Sequence, residues 1–246
     1  VSTGALMAPF AFLGQSGDAA LHEFYTTTRS RDIFALGEFT AIISQLLFGE
    51  GIADTSPLTL LLERHVNEAV LQAVAQAHQN GRRLYIGTVD LDSQRFVIWN
   101  MGLIASSGHP EALDLFRTIM LASSSIPVAF PPVLFKVEAD GRKYDELHVD
   151  GAVKATVFYS AGVFNFESAQ RSSPRGPGRE DIYVIHNGQL GPVHGETRRT
   201  LASIAYRSIE VAAKSAVIGD LFFIYTGAQR SQSGFYWVTI PTKVSL

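Results

Sequence analysis

The chain opens on VSTGALMAPFAFLG, residues 1–14, in which a serine among small residues runs directly into an apolar segment. Residues 4–13 are apolar almost all round, which predicts a helix that is buried in protein or lines an apolar space. Gly14 suits the end of this helix, and Pro9 is expected to shorten or kink it. A serine immediately before such a helix makes Ser2 the first residue to consider for chemistry.

Ser2 and Gly4 match the second half of the nucleophile elbow, G-x-S-x-G, a strained turn between a strand and a helix. The positions that flank the serine in this turn require glycine because strand and helix approach each other closely there. The amide of Thr3 would then be one donor to an oxyanion, and the helix N-terminus would favour developing negative charge. The alternative is that Ser2 or Thr3 only caps the first helix.

Composition excludes several classes of function. The chain has 246 residues, 46% of them apolar and 17% charged, with a net charge of −3 and no cysteine. A nucleic-acid partner is not expected, and disulfides and thiolate chemistry are excluded. No metal-binding motif and no dinucleotide fingerprint occurs, so no cofactor is predicted. No uninterrupted run of about 18 apolar residues occurs either, so no transmembrane helix is predicted.

Helices are predicted where capping residues precede apolar residues at helical spacing. Asp18, Ser56 and Asn67 are the expected N-caps of three of them. Pro57 follows Ser56 at the first helical position, and Pro110 opens a fourth helix. The predicted helices cover residues 19–27, 40–49, 56–66, 68–79, 111–124 and about 197–226.

Strands are predicted around turn residues in the rest of the chain. One hairpin is expected within residues 82–102, around Asp92 and Ser93, and a second joins 133–139 to 143–149 through Asp140 and Gly141. Two further strands are predicted at 181–188 and 235–241. Residues 168–180, rich in Ser, Pro and Gly, are expected to form a mobile surface loop. The alternation of helices and strands favours a three-layer α/β arrangement.

Asp150 is the strongest candidate for a catalytic carboxylate. It leaves a predicted strand into Gly151 and Ala152, so rigid backbone would hold it beside space for a ligand. The alternative is an ordinary Asx-turn residue. A conventional Ser-His-Asp site would instead use His186, at the end of a strand, or His148, which shares a strand face with Asp150.

Three stretches together resemble the patatin-like phospholipases: VSTGALMAPFAFLG, then LASSSIPVAFPPV at residues 121–133, then HVDGAV at 148–153. The resemblance covers most of the chain. It implies an α/β/α fold with a mostly parallel central sheet. It also implies a catalytic dyad without histidine, in which Ser2 is the nucleophile and Asp150 the base, with Gly151 and Ala152 completing the base motif.

The same resemblance implies a lipid acyl hydrolase of the phospholipase A or lysophospholipase type that works through an acyl-serine. Its substrate would be a phospholipid or another acyl lipid, and transient contact with a membrane surface is expected. No cofactor is implied. Apolar residues near the N-terminus are candidates for an acyl channel, with ordinary core as the alternative: Phe10, Phe12, Leu13, Phe24, Phe39, Leu46, Leu47 and Phe48.

One feature of the family, its oxyanion loop, has no counterpart in this sequence. In the family a glycine-rich oxyanion loop lies upstream of the nucleophile, and no such loop precedes Val1. Residues 1–246 are therefore expected to be a single acyl hydrolase domain that lacks this upstream segment. The alternative is a non-catalytic or inactive member that binds lipid or a partner. The sequence predicts neither the oligomeric state nor the location.

Overall fold

The fold is taken from a computed structural model, which describes residues 1–27, 35–36, 53–159 and 180–241. The helix predicted at 40–49 and all but the last residue of the loop predicted at 168–180 lie outside the described residues.

Two helices follow the opening serine, as the apolar pattern predicts. Helix α1 spans Thr3–Leu13 and helix α2 spans Gln15–Thr27. Gly14 separates them with φ +66°, a conformation that favours glycine and lets the chain turn at once. Helix α2 begins earlier than predicted, so Asp18 lies in its first turn instead of capping it.

Four helices make up the middle of the chain: α3 Ser56–His65, α4 Glu68–Gln79, α5 Met101–Ala105 and α6 Ala112–Ser123. The predicted cap of α4 is confirmed, because the side chain of Asn67 accepts a hydrogen bond from the Val70 amide at 3.2 Å. The predicted cap of α3 is wrong by one residue, since Ser56 is already helical and its amide donates to Asp54.

A four-stranded antiparallel sheet carries the predicted hairpins. Its strands are β3 Tyr85–Asp90, β4 Arg95–Asn100, β5 Val133–Ala139 and β6 Arg142–Asp150, in the order β4-β3-β6-β5. Both hairpins are confirmed, because tight turns join β3 to β4 and β5 to β6. A separate short pair, β1 Ala35–Leu36 and β2 Ala53–Asp54, is also antiparallel.

The mostly parallel central sheet is not confirmed. Among the described strands only β7 Asp181–His186 and β8 Gly234–Thr239 run parallel. They form a two-stranded sheet joined through the long helix α7, Leu201–Ser231, a crossover of the kind that parallel strands require. The other sheet is antiparallel because tight turns connect its hairpin strands, and β3 also meets β6 antiparallel. The fold is therefore mixed α/β.

The main core lies between the N-terminal helices, helix α6 and the four-stranded sheet. Phe10, Leu62, Ile86, Phe116 and Met120 are among its fully buried side chains. A second, smaller apolar cluster joins the β7–β8 sheet to helix α7. Helix α6 packs on strands β3 and β6, so its C-terminal end lies beside the end of β6, where Asp150 is found.

Helix α7 is long and apolar enough to cross a membrane, judged by length and composition alone, and little of it is buried. Charged residues such as Lys214 and Asp220 interrupt its apolar residues, so the sequence of this helix contains no uninterrupted apolar run of about 18 residues.

Candidate active site

Ser2 lies in a strained turn immediately before helix α1. Its backbone has φ 52° and ψ −138°, a region that residues other than glycine rarely occupy. Ser2 occupies the N-cap position of the helix, but its side chain makes no capping hydrogen bond. The Ser2 side chain instead lies close enough to the Asp150 carboxyl to lower its pKa as a hydrogen-bond donor, and both residues line one cavity.

Asp150 is the last residue of strand β6 and is only 2% exposed. Its amide donates to the Ser125 carbonyl oxygen at 2.9 Å, and its Oδ1 accepts from the Ala152 amide at 2.8 Å. The second contact is the Asx-turn considered as an alternative. The turn and the contact with Ser2 therefore occur together, and the turn fixes the direction in which the carboxyl group points.

Burial raises the pKa of the Asp150 carboxyl, because the charged form loses hydration when the group leaves water. The hydrogen bonds from the Ala152 amide and from Ser2 act in the opposite direction, and burial dominates. A carboxylate with a raised pKa is a stronger base than an ordinary aspartate, which has a pKa near ~3.9.

Three consecutive serines at the end of helix α6 connect both residues, and sequence reasoning assigned them no role. The Ser123 carbonyl oxygen accepts from the Ser2 amide at 2.8 Å, and the Ser124 hydroxyl lies 3.2 Å from the Ser2 carbonyl oxygen. With the Ser125 bond to Asp150, one short segment holds the backbone on both sides of the Ser2–Asp150 contact. Their sequence signal is the stretch LASSSIPVAFPPV, one of the three stretches that carry the resemblance.

The two motif glycines, Gly151 and Gly4, differ in how closely the rest of the protein approaches them. A Cβ atom on Gly151 would lie 2.5 Å from the carbonyl oxygen of Gly87 in strand β3, so only glycine fits without a backbone shift. A Cβ atom on Gly4 would meet nothing within 4 Å. The expected close approach of strand and helix at Gly4 is thus not found among the described residues, and Gly4 instead lines an open cavity.

Helix α1 offers donors beside the Ser2 hydroxyl. The first amides of any helix lack intrahelical acceptors, and those of Thr3 and Gly4 have no hydrogen-bond acceptor within the described part of the chain. Donors at a helix N-terminus are suited to a developing oxyanion. The Thr3 amide is therefore free of an acceptor in the described part of the chain, and its role as an oxyanion donor stays a prediction.

Neither candidate histidine is bonded to Ser2. His148 is fully buried on strand β6, with Nδ1 2.8 Å from the Thr88 hydroxyl and Nε2 3.1 Å from Glu146. His186 lies at the end of β7 with Nδ1 3.3 Å from the Thr239 hydroxyl, and burial lowers its pKa. His148 thus has partners on both ring nitrogens, whereas His186 lines a cavity that also reaches Ser2.

Two cavities meet at Ser2. The first, of about 590 Å³, also contacts Asp150 and is lined largely by apolar side chains that include Leu91, Ile126 and Val153. The second, of about 640 Å³, passes along helix α1 and reaches a more polar group, His186, Asn187, Gln189 and Lys214. The site is therefore amphiphilic, because Ser2 lines both an apolar space and a partly polar one.

The described candidates for an N-terminal acyl channel belong to the core, which was the alternative interpretation. Phe10, Phe12 and Phe24 are buried in the main core and Leu13 packs against it, whereas Phe39 and Leu46 to Phe48 lie outside the described residues. The cavities use helix α7 and small residues of α1 instead. Within the described ranges no three His, Asp or Glu side chains are arranged to hold a metal ion.

Comparison with known proteins gives one family. The family model described as Patatin-like phospholipase matches residues 1–161, about two thirds of the chain. That range includes both Ser2 and Asp150 as well as the serines of helix α6. No curated protein matches the chain.

Proposed function

Since the chain belongs to the patatin-like phospholipase family of lipid acyl hydrolases, we propose that it hydrolyses carboxylic esters of phospholipids or lysophospholipids with Ser2 as nucleophile and Asp150 as base. The observation that carries the proposal is that Ser2 and the buried Asp150 line one cavity, with the Ser2 side chain close enough to the carboxyl group to influence its pKa as a hydrogen-bond donor. A nucleophile and a base in contact are what acyl transfer requires.

In the first half-reaction the Ser2 hydroxyl oxygen attacks the ester carbonyl while Asp150 takes the hydroxyl proton. The tetrahedral oxyanion accepts hydrogen bonds from the amide of Thr3 and is further stabilised by the N-terminus of helix α1. When the tetrahedral intermediate collapses, the ester C–O bond breaks and Asp150 returns its proton to the departing alcohol. The acyl group remains on Ser2.

In the second half-reaction water takes the place of the alcohol. Asp150 removes a proton from this water as its oxygen attacks the acyl-serine, and the same oxyanion donors act again. Collapse breaks the acyl–Oγ bond, Asp150 protonates Ser2, and the fatty acid is released. Because one carboxylate serves both steps, its fixed orientation by the Ala152 amide supports a dyad without histidine.

The two cavities support an amphiphilic substrate. The apolar cavity beside Asp150 suits the acyl chain, and the cavity that reaches Lys214 and Gln189 suits the polar part of the ester. Burial of the chain would supply most of the binding energy, at about 0.8 kcal/mol per CH₂ group.

A fluorophosphonate probe tests the nucleophile. We expect the probe to modify Ser2, because Ser2 precedes a helix N-terminus and lies beside a buried carboxyl whose pKa is raised. Ser93 also contacts a buried carboxyl, that of Asp90, but the pKa of Asp90 is lowered, so Asp90 is the weaker base. Peptide mass spectrometry locates the adduct, with Ser2→Ala as the unlabelled variant and Ser208→Ala, an exposed serine of helix α7, as the control that keeps labelling. Equal labelling of Ser2→Ala would contradict the proposal.

The pH dependence follows from the raised pKa of Asp150. The base must be ionised, so kcat/KM for a soluble ester should fall as the pH is lowered through this pKa, at a pH above the ~4 of an ordinary aspartate. An acid limb at or below pH ~4 would contradict this expectation.

Stability gives an independent check of the same group. The folded-state pKa is above the unfolded one, so the protonated form favours the folded state. The contribution of Asp150 is full below the unfolded pKa and is lost as the pH rises through the folded one. Asp150→Asn should remove this part of the pH dependence of the free energy of unfolding.

A further inference from the structure

The outward side of helix α7 is apolar where a surface helix normally carries charge. Phe222 and Phe223 are 67% and 69% exposed, and Leu201 is 84% exposed. No residue of the exposed class between Leu201 and Gln229, a segment that the structure describes in full, is charged. We call this surface the outer face of α7; its large apolar residues are Leu201, Ile204, Val211, Ile218, Phe222, Phe223 and Tyr225.

The charged residues of this segment bond to the body of the protein instead. Arg207 pairs with Glu210 at 2.7 Å and donates to a backbone carbonyl in the loop before the helix. Lys214 lies 3.3 Å from another carbonyl oxygen of that loop. Asp220 accepts hydrogen bonds from two amides and a hydroxyl in the segment after strand β6. The usual polarity of an amphipathic surface helix is thus reversed.

The outer face is continuous with the proposed site. Ala212 is exposed on the helix and also lines the apolar cavity that contains Ser2 and Asp150. Leu91, Val153 and Tyr206 line the same cavity and are 39%, 47% and 42% exposed. Ala212 therefore joins the outer face to the cavity, whose lining includes three exposed apolar side chains.

These observations favour lipid over a second copy of the chain as the occupant. A helix pairing in water normally has charged residues beside its apolar seam to fix partner and orientation, and the exposed positions of this helix carry none up to Gln229. The hydrocarbon region of a bilayer selects an uncharged surface.

We propose that the outer face of α7 is the surface through which the protein docks on a lipid bilayer, with the helix lying in the plane of the interface. The proposal rests on the proposed function, because the docked helix would bring an acyl chain of the bilayer to the apolar cavity. The helix lies on the bilayer and does not cross it, since Arg207, Lys214 and Asp220 hold its body side to the protein.

Vesicle flotation tests the docking surface. Phosphatidylcholine vesicles are used because the outer face offers hydrophobic area and no charge, and binding should change little with salt. The double variant Phe222→Ser/Phe223→Ser should bind roughly 10- to 100-fold more weakly, because two large aromatic side chains no longer enter the interface. Ile218→Ser, 57% exposed on the same face, is the second variant and should bind several-fold (~3–10) more weakly.

The matched control is Leu60→Ser. Leu60 is 65% exposed on helix α3, outside the outer face, and its replacement should leave flotation unchanged. All variants are made in the Ser2→Ala background, so that binding is measured without turnover. If the protein with Ser2 intact hydrolyses no soluble ester while the variants still lose binding, the proposed function fails and the docking surface stands.

Three outcomes would overturn the docking surface. The first is undiminished flotation of both variants. The second is binding that requires anionic lipid and disappears with salt. The third is a dimer in sedimentation that becomes monomeric in Phe222→Ser/Phe223→Ser while flotation is unchanged, because the face would then belong to a second copy.

Discussion

Replacing Asp150 by asparagine is expected to lower kcat/KM for ester hydrolysis by about 10²–10⁴-fold while the fold is retained. The amide oxygen of asparagine has the position of the carboxylate oxygen and can still accept from the Ala152 amide, which lies 2.8 Å from Oδ1 of the aspartate. What disappears is the group that takes the Ser2 proton. Because Asp150 is buried at the cost of its hydration, the Asp150→Asn variant should have an unchanged or a higher melting temperature.

The Asp150→Asn variant is compared with Ser2→Ala and with His186→Ala. Ser2→Ala should lose as much activity, and the double variant should be no worse than either single variant, because the two groups act as one unit. His186→Ala is the decisive control, since His186 lines a cavity at Ser2. A large loss in His186→Ala together with full activity in Asp150→Asn would replace the dyad by a conventional serine–histidine site.

Local chemistry made part of the fold predictable. The hairpins depend on turn residues such as Asp140 and Gly141, and the confirmed cap of helix α4 depends on Asn67, so a few neighbouring residues decide each feature. Helix α7 shows the limit of this reasoning. It was expected at about 197–226 and spans Leu201–Ser231, because the cap is Thr200, whose hydroxyl accepts from the Ser203 amide at 3.3 Å.

The strand directions were not predictable in the same way. The expected parallel sheet came from resemblance, whereas the order β4-β3-β6-β5 depends on pairing between Thr88 and Asp150, which are far apart in sequence. No local pattern specifies that pairing. It nevertheless matters for the site, because it fixes the end of β6 against β3.

In the candidate site, too, local motifs predict some residues, whereas residues that act through distant contacts are not predictable from the sequence. Motifs singled out Ser2 and Asp150, which line the same cavity as neighbours, and their catalytic roles remain predictions. The serines at the end of α6 were missed because two of their contacts use main-chain oxygens, which every residue has. The sequence predicts an acyl channel at Phe10 and its neighbours, which lie in the core instead. Apolar composition alone does not distinguish a core residue from one that lines a cavity.

Gly151→Ala is expected to lower activity by about 10²-fold, because the base would move away from Ser2. The added Cβ would lie 2.5 Å from the Gly87 carbonyl oxygen, a backbone atom that cannot rotate away. Relief requires the turn after β6 to shift, and this turn orients the Asp150 carboxyl through the Ala152 amide. The free energy of unfolding should also fall, by about 1–3 kcal/mol.

Gly219→Ala is the matched control for this crowding effect. A Cβ on Gly219 meets nothing within 4 Å, and the residue lies within helix α7, so alanine there should raise stability by about 0.5–1 kcal/mol. Initial rates on a soluble ester and thermal melts separate the two effects. If Gly151→Ala kept full activity, the position of Asp150 would not depend on the close contact between β6 and β3, and the dyad would need another means of support.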